Sequence, residues 1–289
     1  MTVRNYYLPR SMPEALGLLE RHGPELLVMA GGTVAMPLIN EGISLPAAVM
    51  GLRRAGLDQL QRVADTPGVD DTLRIGATAT LTQLLRQSHV PMLRQAAANT
   101  ASWSIRNMAT VGGNLFTPPP GGDVAVALLA LDASLMLVGP RGERTLPIAE
   151  FFTGFMTNAL ADDELLGQIS VPIPTGTNAF IKFGRKQANT PAVVTVAVRL
   201  DWNGDHVADA RIALGAVGPH PIRARRAEEA LAGARLDPAA IAAASMAATE
   251  ACQPFTDAIA TDWYRRRMVG LFVGRALGQL VPGAAQEDR

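Results

Sequence analysis

The spacing of apolar residues changes its period several times along the chain, and each change coincides with a cap or a turn signal. The stretch Ser11–Glu14 (SMPE) has the pattern of a capping box with proline in the first turn, so it predicts a helix that continues to about Arg21. Ala15, Leu18 and Leu19 give that helix one apolar side. The run "ELLVMA" that follows predicts a buried strand.

The later segments combine helices with antiparallel hairpins. "TLRIGATATLTQLLRQ" predicts a strand, a turn and a helix, while "PMLRQAAANTAS" and "DVAVALLALDA" predict two more helices, the second with Asp123 as its N-cap. Hairpins are predicted in "SLMLVGPRGERTL" and at a two-residue turn, Asn203-Gly204. The last ~70 residues are Ala-rich and predicted helical. Because strands and helices do not alternate regularly, the sequence predicts an α+β fold.

Composition narrows the class of protein. The chain has 289 residues, and 48% of them are hydrophobic, which is typical of a globular protein with a substantial core. Its 26 basic and 26 acidic residues balance, so no net charge favours binding to nucleic acid or an anionic membrane. The longest apolar run is interrupted by Asp132, and the first residues lack a signal-peptide core. We therefore expect a cytoplasmic protein without a transmembrane segment.

Metal and disulfide chemistry are not expected in this chain. Its one cysteine, Cys252, excludes an intrachain disulfide and cannot by itself hold an iron–sulfur cluster, which takes several thiolates. The four histidines lie far apart in sequence, and none has the spacing of a zinc-binding motif. No catalytic acid, base or nucleophile stands out either, since there is no His–Asp pairing and no activated Ser or Cys.

The stretch "LLVMAGGTVAMPLIN" places Gly31-Gly32 between the predicted strand and a helix predicted from Val34, with Thr33 in position to cap that helix. Such a turn presents unpaired backbone N–H groups and the positive end of a helix dipole, so it can bind an anion, most plausibly a phosphate. The alternative is that the two glycines only complete a tight turn.

A second pair, Gly112-Gly113 in "TVGGNLF", is also predicted to form a turn, which leads through "TPPPGGD" to the helix capped by Asp123. Two such loops could supply donors to a diphosphate from two directions. The chain contains neither GxGxxG nor GxxxxGK[ST], which argues against a Rossmann dinucleotide site and a P-loop nucleotidase.

Taken together, "AGGTVAMPLIN" and "SIRNMATVGGNLFTPPPGGDVAVALLALDA" resemble the FAD-binding medium subunit of the molybdenum hydroxylases, the xanthine dehydrogenase and aerobic carbon monoxide dehydrogenase group. The resemblance covers essentially the whole chain. It implies the flavin fold shared with vanillyl-alcohol oxidase in two subdomains, residues 1–55 and 56–175. A C-terminal α+β domain with an antiparallel sheet and helices would follow over residues 176–289.

The resemblance also implies a set of FAD-binding residues. A first loop would wrap the diphosphate, mainly through backbone amides; it comprises Val28, Met29, Ala30, Gly31, Gly32, Thr33, Val34 and Ala35. In the second loop Thr110, Gly113 and Asn114 would contact the cofactor, with the Thr110 hydroxyl donating to it. Asp123 would accept hydrogen bonds from sugar hydroxyls on the adenosine side. Leu166 would pack near the flavin, and Lys182 would lie near the cofactor.

Several of these residues have a structural alternative. Leu166 could be plain core, and Lys182 could be an outward-facing strand residue, because it alternates with apolar neighbours. For Arg106 and Trp103 we expect packing and a salt bridge, and for the arginine run 265–267 a solvated helix face. The chain also departs from many family members after Arg185, where "RKQANTPAVV" offers no aromatic side chain to cover the isoalloxazine.

The function implied by the resemblance is electron relay through a non-covalently bound FAD. A molybdenum cofactor on a large partner subunit would oxidise the substrate, and [2Fe–2S] clusters on a small partner subunit would pass electrons to this chain. The expected assembly is a dimer of heterotrimers. Two alternatives remain open: a free-standing flavin oxidase, and a non-redox scaffold that keeps the fold without the cofactor.

Overall fold

The computed structural model describes residues 3–64, 71–119 and 121–282. The first region of the chain contains a small parallel sheet. Three strands in the order β1-β3-β2 and two helices form this region: β1 (Asn5–Tyr7), α1 (Met12–His22), β2 (Leu26–Met29), α2 (Ala35–Asn40) and β3 (Ala48–Gly51). The predicted apolar side of α1 packs against β3 in one core cluster, so the first helix and strand are confirmed.

The N-terminus of α1 differs in one detail from the predicted capping box. The Ser11 hydroxyl accepts a hydrogen bond from the Glu14 N–H at 3.3 Å, as expected. The Glu14 carboxylate, however, accepts from the Arg10 N–H at 2.7 Å and not from Ser11. The second hydrogen bond of the capping box is therefore made with Arg10, the residue before the N-cap, and not with the N-cap residue itself.

The second region contains a five-stranded antiparallel sheet in the order β4-β5-β10-β6-β7. Its elements are β4 (Leu60–Val63), β5 (Thr72–Gly76), α3 (Leu81–Gln87), α4 (Pro91–Asn99), α5 (Trp103–Arg106), α6 (Val111–Leu115), α7 (Asp123–Ala130), β6 (Ser134–Gly139), β7 (Gly142–Pro147), α8 (Ile148–Phe151), β8 (Phe152–Gly154), β9 (Thr157–Asn158) and β10 (Leu165–Pro172). The helices predicted in "TLTQLLRQ", "PMLRQAAANTAS" and "DVAVALLALDA" are all present.

The third region is a four-stranded antiparallel sheet in the order β11-β12-β13-β14, covered by helices. Its elements are β11 (Thr177–Gly184), β12 (Ala192–Asn203), β13 (His206–Gly215), β14 (Ile222–Arg223), α9 (Arg225–Leu231), α10 (Pro238–Ala251) and α11 (Asp262–Gly278). Strands and helices are thus mixed without βαβ alternation, and the α+β prediction is confirmed. In the described parts of the chain, no helix combines the length and the apolar character that a membrane span requires.

Helix α7 joins the second and third regions. All eight of its residues are buried, including Asp123, because one side faces the second region's core and the other faces strands β12 and β13. Gly215 on β13 permits this close approach, since a Cβ there would lie 2.5 Å from a methyl group of Val126.

Two predictions about the third region are wrong in detail. The two-residue hairpin turn is Gly204-Asp205, one residue later than predicted, because Asn203 still pairs with His206. The arginine run is not a uniformly solvated face. Arg265 is fully buried and donates to the carbonyl groups of Ala192, Val193 and Ala216.

Candidate functional site

The first glycine pair lies in an open loop between β2 and α2. Strand β2 ends at Met29, and α2 begins at Ala35 with Val34 as its N-cap residue and no side-chain capping bond. The prediction that Thr33 caps this helix is therefore wrong. Gly32 has a φ of +73°, a left-handed conformation that glycine adopts without strain.

The backbone donors of this loop are free. Within the described residues, the N–H groups of Gly31, Gly32, Thr33 and Val34 have no hydrogen-bond acceptor. They lie just before the N-terminus of a helix, where the helix dipole adds positive potential. The loop can therefore bind an anion through its main chain.

The second glycine pair is not in a turn, and that prediction is wrong: Gly112 and Gly113 lie in the first turn of α6. Thr110 is the N-cap of α6, and its hydroxyl accepts from the Gly113 N–H at 3.0 Å. The other amides of this turn are bonded as well, because Val111 and Gly112 donate to Ala79 and Ala77 at 2.8 and 3.0 Å, and Asn114 donates to the Thr110 carbonyl. This segment can offer a cofactor the Thr110 hydroxyl proton, which has no acceptor in the described chain.

The two segments lie side by side. Gly31 is in direct contact with the Met108 carbonyl oxygen, and a Cβ at position 31 would overlap it. A Cβ on Gly113 would lie 4.0 Å from the Ala30 methyl group. Glycine is needed at position 31 because the two backbones approach each other there more closely than a side chain allows.

A groove of about 520 Å³ runs along the first loop. Glycines 31 and 32 and the methionines 29, 36 and 108 line it, and so do Arg4 and Arg53. The Arg53 guanidinium donates to the Met108 sulfur at 3.1 Å, and no described carboxylate lies within ion-pairing distance of it. The groove therefore combines free backbone donors with positive side chains, which is favourable for a phosphate group.

Asn114, and not Asp123, supplies the side-chain cap of helix α7. Asp123 was predicted to be the N-cap of α7, but Gly122, with a φ of +83°, occupies that position. The Asn114 side-chain oxygen accepts from the Ala125 N–H at 3.0 Å and so caps α7 from the preceding helix. The capping oxygen therefore comes from a residue eight positions before the N-cap (114 against 122).

Asp123 forms a buried cluster with two residues of the third region. Its Oδ2 atom accepts from the Lys182 ammonium at 2.7 Å, and its Oδ1 atom accepts from the Thr195 hydroxyl at 2.8 Å. The side chains of Lys182 and Asp123 are 7% and 6% exposed, so Lys182 does not point outward. The Lys182 ammonium also donates to the Asn99 carbonyl at 3.1 Å, at the end of α4.

Only part of the predicted site lines the groove, namely Met29, Ala30, Gly31 and Gly32 of the first loop. The predicted residues outside the first loop do not line it: Thr110, Gly113, Asn114, Asp123, Leu166 and Lys182. Leu166 is buried in the core of the second region, opposite Leu137. Its place near the flavin remains a prediction. Val28, Thr33, Val34 and Ala35 flank the loop without lining the groove. Arg106 donates to three carbonyl groups near the end of α4 and, among the described residues, forms no salt bridge. Trp103 is 64% exposed. The expected salt bridge and the expected packing of this pair are therefore both wrong.

Sequence reasoning missed two residues that matter here, Thr195 and Arg53. Thr195 interrupts the apolar run "AVVTVAV" of β12, and a hydroxyl in a fully buried strand needs a partner, which is a usable signal. Arg53 follows the buried strand β3, but nothing local indicates that it lines a groove with the first loop.

Two protein families match most of this chain. A family described as the FAD binding domain in molybdopterin dehydrogenase matches residues 2–174, and the CO dehydrogenase flavoprotein C-terminal domain matches residues 178–280. The caffeine dehydrogenase subunit beta of Pseudomonas sp. (strain CBB1) is 33% identical over 239 residues, which cover 80% of this chain and 79% of that protein.

Carbon monoxide dehydrogenases are similar over almost the full length. The medium chain from Hydrogenophaga pseudoflava is 31% identical over 278 residues, or 94% of this chain and 95% of that protein. The solved structure of that organism's carbon monoxide dehydrogenase, which lacks the Mo-pyranopterin moiety of its molybdenum cofactor, superposes with a TM-score of 0.90. The superposition covers 96% of each chain at 31% identity.

Proposed function

Because the chain belongs to the family of FAD-binding medium subunits of molybdenum hydroxylases, we propose that it is the electron-transfer subunit of a heterotrimeric enzyme of this type. In this proposal it accepts electrons from [2Fe–2S] clusters on a small partner subunit and delivers them to an external acceptor. Substrate oxidation takes place at a molybdenum cofactor on a large partner subunit.

The observation that carries the proposal is the set of free backbone donors at Gly31, Gly32, Thr33 and Val34 beside a groove. A diphosphate carries negative charge that main-chain N–H groups and a helix N-terminus stabilise, so the loop fits the central part of FAD. The alternative of a plain tight turn would leave these donors to solvent and gives no reason for the groove.

Other residues would contact the diphosphate and the adenosine end of the cofactor. The Thr110 hydroxyl accepts from Gly113 and can at the same time donate its proton to a phosphate oxygen. Asp123 would accept hydrogen bonds from ribose hydroxyls on the adenosine side, since each of its oxygens keeps acceptor capacity beyond the one bond it makes. Lys182 would balance the charge of that carboxylate by pairing with it.

The redox chemistry belongs to the cofactor and the partners. When bound, FAD supplies a ring that takes up and releases electrons, and this chain supplies its position and electrostatic environment. The single cysteine of the sequence cannot ligate an iron–sulfur cluster, which supports placing those clusters on another chain. The names of the relatives, a medium chain and a subunit beta, also describe parts of assemblies.

The test is purification of the chain with the proteins that copurify with it, followed by absorbance and metal analysis. We expect flavin absorbance near ~450 nm, molybdenum and iron in the complex, and flavin reduction by substrate only when the partners are present. Anaerobic mixing of the isolated chain with the same substrate provides the comparison.

Each alternative function predicts a different result. Direct flavin bleaching in the isolated chain would support a free-standing oxidase. A complex that is active but holds no FAD on this chain would support a scaffold. Either outcome would overturn the proposal.

A further inference from the structure

Hydrogen-bonded side chains connect helix α7 to the third region at both of its ends, and we call these two groups of contacts clamps. At the N-terminal end Asp123 contacts Lys182 and Thr195, and just beyond the C-terminal end Asp132 contacts Arg211 and Arg223. With a rise of about 1.5 Å per residue the helix separates these two contacts by roughly 12 Å. The two clamps join the same parts of the molecule, but only the first involves a residue assigned to the cofactor.

The N-terminal clamp is built by a cross-strand pair. Lys182 on β11 and Thr195 on β12 are direct partners in the antiparallel ladder, so their side chains project from the same face of the sheet. Each binds a different oxygen of the Asp123 carboxylate, at 2.7 and 2.8 Å. This arrangement fixes the rotation of the carboxylate as well as its place.

Both bonds lie in a dry environment. Thr195 is 1% exposed, and the Asp123 and Lys182 side chains are nearly as buried. A buried carboxylate that loses one hydrogen bond is left partly unsatisfied, and it regains a partner only by rotating or by admitting water. Lysine alone, a compact charge on a flexible stem, constrains the orientation of a carboxylate less than two donors on opposite oxygens do.

We propose that Thr195 is a positioning residue of the FAD site. Its hydroxyl holds the Asp123 carboxylate in the orientation that accepts the ribose hydroxyls, so the C-terminal domain completes a binding site otherwise formed by the N-terminal part of the chain. This inference rests on the proposed function, because it needs FAD to bind beside Asp123.

The experiment compares Thr195→Val, Thr195→Ser and Asp132→Asn in the complex purified with its partners. After FAD is removed, its affinity is measured by the quenching of flavin fluorescence on titration, and thermal unfolding is recorded in parallel. We expect Thr195→Val to weaken FAD binding by about tenfold, the usual scale for a hydrogen bond to a buried charge. Thr195→Ser keeps the hydroxyl and should bind FAD within about twofold of wild type.

Asp132→Asn is the matched control for loosened domain contacts. It removes charge from the clamp at the opposite end of α7, so it should lower the unfolding temperature and leave FAD affinity unchanged. ADP serves as a second probe, because it carries the adenosine ribose and the diphosphate without the flavin. Its affinity should fall in Thr195→Val by the same factor as that of FAD.

Three outcomes would overturn the inference. Wild-type FAD affinity in Thr195→Val would show that the hydroxyl does not position the site. An equal loss of FAD affinity in Asp132→Asn would show that the affinity depends only on the contacts between the second and third regions. Weak FAD binding in Thr195→Ser would show that loss of the hydroxyl is not the cause. If Thr195→Val does not fold, Thr195→Ala is compared with Thr195→Ser in the same way. A wild-type complex that binds no FAD would instead overturn the proposed function itself, and this inference with it.

Discussion

The Gly-Gly pairs of the two predicted cofactor segments, 31-32 and 112-113, have different structural roles. At Gly31-Gly32 the backbone is irregular, Gly32 has a positive φ, and the surrounding N–H groups are free. At Gly112-Gly113 the backbone is helical, and every N–H of the turn from Val111 to Asn114 is bonded inside the chain.

The difference shows that a glycine pair has no function of its own. Gly112 allows α6 to pack against the Ala77 backbone, so it is a packing residue that brings the Thr110 hydroxyl to the site. The first pair instead leaves main-chain donors exposed beside a groove. A loop binds an anion only if its amides are not already satisfied, and this depends on the neighbouring segments.

The largest expected effect tests the packing role of the second pair. In Gly112→Ala the new Cβ would lie 2.5 Å from the Ala77 carbonyl oxygen, a backbone atom that cannot move freely. We expect a loss of about 3 kcal/mol in the free energy of unfolding, measured by urea denaturation. Gly17→Ala in α1, where no atom lies within 4 Å of the new methyl group, is the control and should cost nothing. If Gly112→Ala has the same free energy of unfolding as the wild type, Gly112 has no packing role that distinguishes it from the first pair.

A smaller effect tests the binding role of the first pair. Gly32→Ala places a side chain at a φ of +73°, and Gly42→Ala does so at +71° in open space. Both should lose about 1 kcal/mol of stability from backbone strain. Only Gly32→Ala, whose methyl group would lie 2.9 Å from the Met29 sulfur beside the free amides, should also weaken FAD binding, by about fivefold. Equal FAD affinity in the two variants would contradict a diphosphate site at this loop.

The smallest effect concerns the charge beside that loop. Arg53 and Arg54 are both exposed, but only Arg53 lines the groove. We expect Arg53→Gln to weaken FAD binding by about twofold, the scale of an exposed ion pair, and the effect should shrink as salt is added. Titrations at two ionic strengths measure it, with Arg54→Gln as the control. Identical behaviour of the two variants would mean that Arg53 is ordinary surface charge.

Local elements were predictable because their signals lie within one turn of the residues they control. The Ser11 cap, the buried strand at Leu26–Met29 and the hairpins follow from nearest neighbours, and even the error at Asn203-Gly204 is a single position. The capping prediction for Thr33 failed because Val34 is the N-cap residue of α2 and no side chain caps that helix. The capping prediction for Asp123 failed because the cap is not local. An N-cap is usually local, but α7 takes its capping oxygen from Asn114 on the preceding helix.

Burial of charged residues was the other property that the sequence did not reveal. Arg265 looked like part of a solvated arginine face, yet its guanidinium is buried and donates to two carbonyls of β12 and to the carbonyl of Ala216, just after β13. The predicted division of the chain near residues 55 and 175 remains a prediction, although the three largest sheets use residues 5–51, 60–172 and 177–223.

The sequence by itself determined the α+β class, the positions of most helices and strands, and the family, because apolar periodicity and short motifs are properties of neighbouring residues. Only the tertiary structure decided which of the two glycine segments keeps free amides, since that depends on hydrogen bonds to Ala77 and Ala79, more than thirty positions away. It also decided that Asp123 meets Lys182 and Thr195, which lie 59 and 72 residues further along the chain. Contacts of that separation depend on how the sheets pack around α7, and no local pattern encodes them.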